Sequence, residues 1–138
     1  MDWFSWGDVS WIGVIVATVA GFLVGFVWYH PRFLGHQRAR LAGVDVDSRS
    51  EGMVPRHAGA GAVMFVTAIV MNVLMAELIV TSVVGGALFG AVVALVFRLG
   101  TLVIHSGFEG RSAALTLIDG LHDVVSLAVA GAVLGAFL

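Results

Sequence analysis

The chain has 138 residues, 59% of them hydrophobic and 12% charged, with a formal net charge of -2 and no cysteine. Together with a mean hydropathy of +1.02, this excludes an ordinary soluble domain. It also leaves no basic surface for nucleic acid, no disulfides and no thiolate metal site. A spanning helix needs about 20 apolar residues, and four such stretches use nearly the whole chain. The expected fold is therefore all-α, a single integral membrane domain with a bundle of four transmembrane helices.

In chain order, the first apolar span runs from about Asp8 to Tyr29, with Trp3, Trp6 and Trp11 at its start and Trp28 and Tyr29 at its end. Trp11 and Trp28 stand 17 positions apart, roughly 25 Å of helix, which sets an aromatic belt at each membrane surface. Pro31 then ends the helix. No Lys or Arg precedes the span, so it lacks the basic start of a cleavable signal and is expected to remain. The polar stretch 31–57 is the one long loop, carrying Arg32, Arg38, Arg40, Arg49 and Arg56. Within it FLGHQRARLAG, residues 33–43, predicts a short interfacial helix whose Phe33, Leu34 and Leu41 face lipid while its arginines reach for headgroups. The stretch DVDSRSEG, residues 45–52, bears a faint likeness to a calcium loop, but Arg49 stands where a ligand belongs.

The second span covers about 58–80 and the third about 85–105, joined by a tight turn. The pause SGFEGRS, residues 106–112, leads into a fourth span over 113–138. All seven positive side chains are arginine. Five lie in the 31–57 loop and Arg111 in the pause, which makes those segments cytoplasmic and puts both termini on the non-cytoplasmic side. The segments WYHPRFLG, 28–35, and VIHSGFEG, 103–110, share His, Phe and Gly at matched offsets, which predicts two hairpins related by a pseudo-two-fold axis.

Small residues recur at every fourth position as Gly13, Ala17, Gly21 and Gly25, again as Gly86, Gly90 and Ala94, and again as Gly131 and Gly135. Lipid supplies no hydrophobic drive between helices, so such ladders mark close packing. Gly21, Gly25, Gly131 and Gly135 are expected to serve a homo-oligomer, with membrane lipid as the other partner.

The fourth span carries three titratable groups. Asp119, His122 and Asp123 stand at i, i+3 and i+4 on one helical face, which Ser112, Thr116 and Ser126 extend. A charge costs a few kcal/mol at the bilayer centre, so this face turns inward and finds partners. A hairpin of spans three and four centred between residues 108 and 109 sets Arg98 opposite Asp119, Thr101 opposite Thr116, and His105 opposite Ser112. Asp123, with His122 beside it, is then one turn deeper without a cation of its own, and becomes the candidate proton carrier. Asp119, His122 and Ser126 also form a nominal Asp-His-Ser set, but successive turns of one helix aim such groups poorly at one another. His30, His36, His57, His105 and His122 raise the question of a metal; His30 and His105 fall at membrane surfaces, and no metal is expected.

The residues GFLVGFVWYHPRFLG, 21–35, and FEGRSAALTLIDGLHDVVSLAVAGAVLGAFL, 108–138, resemble the bacterial domain-of-unknown-function family number 1761, small membrane proteins of four predicted helices. There the first helix ends in a Trp-Tyr-Ser-Pro-like motif followed by Phe-Gly, matched here by Trp28, Tyr29, Pro31, Phe33 and Gly35. The last helix opens with Phe-Glu-x-Arg-Pro and continues through Gly-Tyr-His-x-x-Ser-Leu, matched by Phe108, Glu109, Arg111, Gly120, His122, Ser126 and Leu127. His30, Ser112, Leu121 and Asp119 depart from the pattern, standing where the family has serine, proline, tyrosine and commonly an amide. The resemblance implies the four-helix architecture and a bacterial inner (plasma) membrane location, and it implies no activity.

Two functions fit these residues. One is an oligomeric proton- or cation-linked transporter or channel built on Arg98, Thr101, Asp119, His122, Asp123 and Ser126. The other is a structural or accessory membrane protein whose polar cluster fixes helix packing. Neither calls for a cofactor, and an enzyme is not expected.

Overall fold

The structure is a computed structural model that describes residues 6–44 and 52–138. Trp3 and most of the stretch weighed as a calcium loop lie outside the described residues. The elements are α1 (Trp11–Trp28), a π-helical turn (Pro31–Gly35) running into α2 (His36–Ala42), and α3 (Met53–Glu77). They continue with α4 (Val83–Val93), a second π-helical stretch (Ala94–Leu99), α5 (Gly100–Glu109) and α6 (Ala113–Phe137). Four helices are long and apolar enough to cross a membrane: Trp11–Trp28, Val54–Glu77, Val83–Glu109 and Ala113–Phe137. The third is α4, the π stretch and α5 in one continuous rod.

Local chemistry sets the ends. Ser82 and Ser112, both extended, accept from the backbone N–H of Gly85 (3.1 Å) and Leu115 (3.2 Å), starting α4 and α6. Gly110 in the left-handed region (φ 68) ends α5. The third span runs to Glu109, past the expected end near residue 105, because nothing in SGFE breaks a helix before that glycine. The turn between α3 and α4 is as tight as expected and puts Ile79 at φ 56, a strained position for a β-branched residue. The 31–57 stretch contains the predicted short helix as α2.

α6 is the central element, packed on α4, α1, the π stretch, α3 and α2. Its small residues set the spacing: a Cβ on Gly131 would strike the Gly86 carbonyl, and one on Gly135 the Ser82 carbonyl. Around them Val14, Ala17, Ala68, Met71, Met75, Leu127 and Leu134 form a buried core. The methionines fill the irregular gap between α3 and its neighbours. A Cβ on Gly13 would lie 2.9 Å from Phe137, so the start of α1 and the end of α6 share one end of the bundle. The arginine-rich segments occupy the other.

The expected register between the third and fourth spans holds for its first half. Gly86 sits on Gly131 and Gly90 on Leu127, the pairs dictated by a turn centred between residues 108 and 109. Beyond Ala94 it fails. The π-helical stretch adds residue to a turn, so the inward face resumes one place later, at Leu99 (against Gly120) and the buried Ser106. Thr101 and His105 are thereby turned outward and are exposed. The two segments read as a repeat are also built differently. The first breaks at Tyr29 and His30, whereas the second stays helical through Glu109.

The four glycines expected at an intersubunit contact are engaged within the chain. A Cβ on Gly21 would strike Met64, one on Gly25 would lie 3.3 Å from His122 Nε2, and Gly131 and Gly135 meet α4 and its cap. Near this seam the Ser126 hydroxyl donates to the Gly21 carbonyl at 2.7 Å. Ser126→Ala is expected to destabilise the fold by about 0.6 kcal/mol, the usual worth of an interhelical hydrogen bond in lipid. Equilibrium unfolding in mixed micelles would measure it.

Candidate functional site

The inward stripe of α6 divides into two centres. The first is Asp119, whose side chain is only 14% exposed. Arg38 of α2 grips it with both ends of its fork, Nε to Oδ1 at 2.7 Å and Nη2 to Oδ2 at 3.2 Å. Arg111, just before α6, donates from Nη2 to Oδ2, and the Tyr29 hydroxyl donates to Oδ1 at 3.1 Å. One carboxylate thus ties the end of α1, α2 and the turn before α6 to one another. The hydrogen bond to Asp119 raises the Arg38 pKa above its ordinary value and keeps the guanidinium charged. The Trp28 indole N–H fixes the same junction by donating to the Ile118 carbonyl at 3.0 Å.

The local sequence explains how α2 reaches Asp119. Pro31 presets the start of the turn, His30 Nδ1 accepts from the Arg32 backbone N–H at 3.1 Å, and Gly35 lies so close to the Tyr29 carbonyl that a Cβ would collide with it. The chain folds back on itself there and carries Arg38 over the Tyr29 ring, 5.2 Å from its centroid. Phe33 packs edge-on against Trp28 at 5.8 Å.

The second centre is one turn further along α6. His122 Nδ1 lies 3.1 Å from Asp123 Oδ1, and Arg98 Nη1 approaches Asp123 Oδ2 at 3.8 Å. Arg98 also donates from Nη2 to Thr67 Oγ1 of α3 at 3.1 Å. Asp123 is therefore loosely held, and its side chain is 28% exposed. His122 stacks obliquely on Tyr29 at 4.8 Å, and its Nε2 is buried without a hydrogen-bond partner. With Nδ1 turned to a carboxylate, Nε2 is the nitrogen left to accept a proton or donate one.

Both Asp123 and His122 line a cavity of about 880 Å³ between α1, α2, α3 and α6. Arg38, Arg56 and Arg98 border it together with His30, His57 and Ser126, while Phe22, Phe26, Val63 and Met64 supply apolar wall. Among the described residues, no three His, Asp or Glu side chains come close enough together to share a metal ion.

The residues singled out from sequence thus fall in different places. The stripe Asp119, His122, Asp123 and Ser126 does turn inward. The Arg98 to Asp119 pair does not form: Asp119 belongs to Arg38 and Arg111, and Arg98 reaches Asp123 instead. The π stretch is the physical reason, because it resets the helical phase before Arg98 can face Asp119. Thr101 is outside the cluster, with its hydroxyl bonded to the Phe97 carbonyl at 2.6 Å. Ser126 is directed at Gly21, so the nominal Asp-His-Ser set is not assembled. Of the matched motif residues, Trp28, Tyr29, Pro31, Gly35 and Arg111 build the Asp119 junction, while Phe108 is 91% exposed and Glu109 is exposed. The residues missed were Arg38, read as a headgroup-seeking arginine, and Thr67. A signal for Arg38 was present in the imbalance of two aspartates against one assigned arginine.

An all-helical bundle with four membrane-length helices and an ionic cluster held at one end defines a small polytopic membrane protein. The chain belongs to the family described as Protein of unknown function (DUF1761), whose sequence profile matches residues 12–135. No curated protein and no solved structure matches the chain.

Proposed function

We propose that the protein is a small proton-linked membrane carrier in which Asp123 and His122 hold the proton and Asp119 is a structural clamp. The observation that supports this reading is the partly exposed Asp123 carboxylate, which lines the cavity beside His122, a histidine whose Nδ1 faces that carboxylate and whose buried Nε2 has no hydrogen-bond partner. A group serving only helix packing would have its hydrogen bonds closed on protein, as Asp119 has. Arg98 from the third span and His122 on α6 meet Asp123 directly, and Tyr29 at the end of α1, Arg38 on α2, and Arg56 with His57 on α3 border the same cavity.

The cluster would lie toward the cytoplasmic face of a bacterial inner membrane, with both termini opposite, because the arginine-bearing end of the bundle follows the positive-inside bias. A bare cation is disfavoured as cargo by three arginines on the cavity against one carboxylate. Self-association would use faces other than the four glycines already packed within the chain. The structural reading keeps its support at Asp119, whose oxygens are all engaged by protein.

In liposomes with an imposed pH gradient and an internal pH dye, the protein is expected to collapse the gradient faster than empty vesicles. Asp123→Asn is expected to return the rate to the empty-vesicle level without loss of helicity, and Thr101→Val to leave it unchanged. Proton movement equal in the parent and in Asp123→Asn would remove the carrier reading.

A further inference from the structure

α3 and the third span are joined where Arg98 donates to Thr67 Oγ1 at 3.1 Å, and from there toward the arginine-rich end they part. Neither the π stretch nor α5 packs against α3 beyond isolated contacts. None of residues 54–60 is buried, and of residues 95–109 only Ser106 is. The groove between the two helices leads to Asp123 and Arg98, whose side chains are both partly exposed. These two groups lie deep. Asp123 is ten residues into α6 and Arg98 eleven before the end of α5, about 15 Å and 16 Å along the helix axes. Ionisable groups at that depth are covered by protein or face a water-filled space, and a groove open sideways to acyl chains supplies neither. One chain alone leaves this side of its polar cluster without cover.

The two lips of the groove carry opposite charges. Arg56 stands eleven residues before Thr67 and Glu109 eleven after Arg98, which puts them at one level of the bundle. Both are exposed, and neither makes an ion pair with a described residue. Each also sits at the unfavourable end of its own helix. A cation in the first turn of α3 meets the positive end of the helix dipole, and an anion in the last turn of α5 meets the negative end. An exchange of neighbours relieves both, since the start of α3 favours an anion and the end of α5 a cation. Between Arg56 and Thr67 the lip of α3 is low, with Gly59 and Ala60, and a Cβ on Gly59 would meet no atom within 4 Å, so a second helix has room to approach.

We propose that two copies of this chain pack groove to groove about a two-fold axis along the membrane normal, with α3 of each copy against α5 of the other. Arg56 of each copy then meets Glu109 of its partner, and the two grooves close into one interior shared by both Asp123 and Arg98 pairs. The symmetry makes the contact reciprocal, so every charge brought to it is answered. Setting α3 against α3 would instead oppose Arg56 to Arg56, and acyl chains would leave both lips unpaired. The end of each cavity lined by His30 and Pro31 stays open to water. This pairing goes beyond the carrier reading and does not depend on it.

The test is energy transfer in phosphatidylcholine vesicles between copies labelled with a donor or an acceptor at Thr81→Cys, in the exposed turn before α4. The parent is expected to show transfer that persists as the vesicles are diluted with lipid. Arg56→Glu and Glu109→Arg, each alone, turn both contacts from attraction to repulsion and are expected to weaken association about tenfold. An equal mixture of the two variants, donor on one and acceptor on the other, is expected to restore the parental transfer, because each copy then offers the charge its partner lacks. A contact within one chain would give no such rescue. Glu77→Arg, a charge reversal at the far end of α3, is expected to leave association unchanged. A second measurement does not depend on the reversed charges. Ala60→Cys in one copy and His105→Cys in another stand at matching levels and are expected to link on oxidation, whereas Ala60→Cys and Leu88→Cys are not. Parental transfer no greater than chance encounter, a mixture that associates no better than its components, or linkage from position 60 to 88 as strong as to 105 would overturn the proposal. Each of these leaves the carrier reading to the pH-gradient measurement, where Asp123→Asn decides it.

Discussion

Asp119→Ala is expected to destabilise the folded state by about 3 kcal/mol. Removing one carboxylate leaves two guanidinium groups, Arg38 and Arg111, facing each other and the Tyr29 hydroxyl without an anion. Stranding the partner of a buried ion pair costs about 3–5 kcal/mol, and the lower figure applies here because the arginine side chains are 31% and 25% exposed. Asp119→Asn is expected to cost less, since an amide oxygen still accepts from Tyr29 and one arginine. The double variant Arg38→Ala with Asp119→Ala is expected to be less damaging than the two single effects added together, because both changes remove the same bidentate contact and only Arg111 is then left without an anion. Thermal unfolding in detergent, followed by helical circular dichroism, would separate these cases. If Asp119→Ala unfolds with the parent, the carboxylate is not holding α2 against α6.

The second large effect lies at the far end of the bundle. Gly86→Leu is expected to destabilise by about 3 kcal/mol or more, at or beyond the upper range for overpacking. The atom a Cβ would strike there is the Gly131 carbonyl, part of a helix backbone that cannot rotate aside, and Gly131 meets Gly86 in the same way. The helices would have to separate, opening the seam that buries Leu127, Ala130 and Leu134. Gly61→Leu makes the same chemical change where a Cβ meets nothing within 4 Å. It is expected to be neutral or to stabilise by up to about 1 kcal/mol through helix propensity. A thermal midpoint for Gly86→Leu equal to that of Gly61→Leu would contradict the packing described here.

How much of this was legible in the sequence depends on whether a feature is periodic. The four spans follow from run length alone, and the inward stripe of α6 follows from the i, i+3, i+4 spacing of Asp119, His122 and Asp123. The register of the hairpin follows as far as Ala94, because Gly86 and Gly90 leave no other way to seat α6. Beyond it, periodicity pairs Arg98 with the wrong aspartate, since it extrapolates a uniform helix and nothing in ALVFRL announces an extra residue in the turn. Its place in a polar loop points Arg38 to the membrane surface. Its true position depends on a fold-back through Pro31 and Gly35, and on a carboxylate 81 positions away. No periodicity signals the cavity, because it arises from where α3 stands relative to the third span.

The central claim is that the two carboxyls of α6 differ in kind, Asp119 closed on protein and Asp123 open to a basic cavity. The chain has no cysteine, so any single one introduced reports unambiguously. Single cysteines at Asp123 and at Ala130, the latter buried in the core, would be exposed in vesicles to thiosulfonate reagents of opposite charge. The account predicts that the cysteine at 123 is modified, faster by the anionic reagent than by the cationic one, and that the cysteine at 130 is not. Equal protection of both positions, or faster cationic labelling at 123, would contradict it.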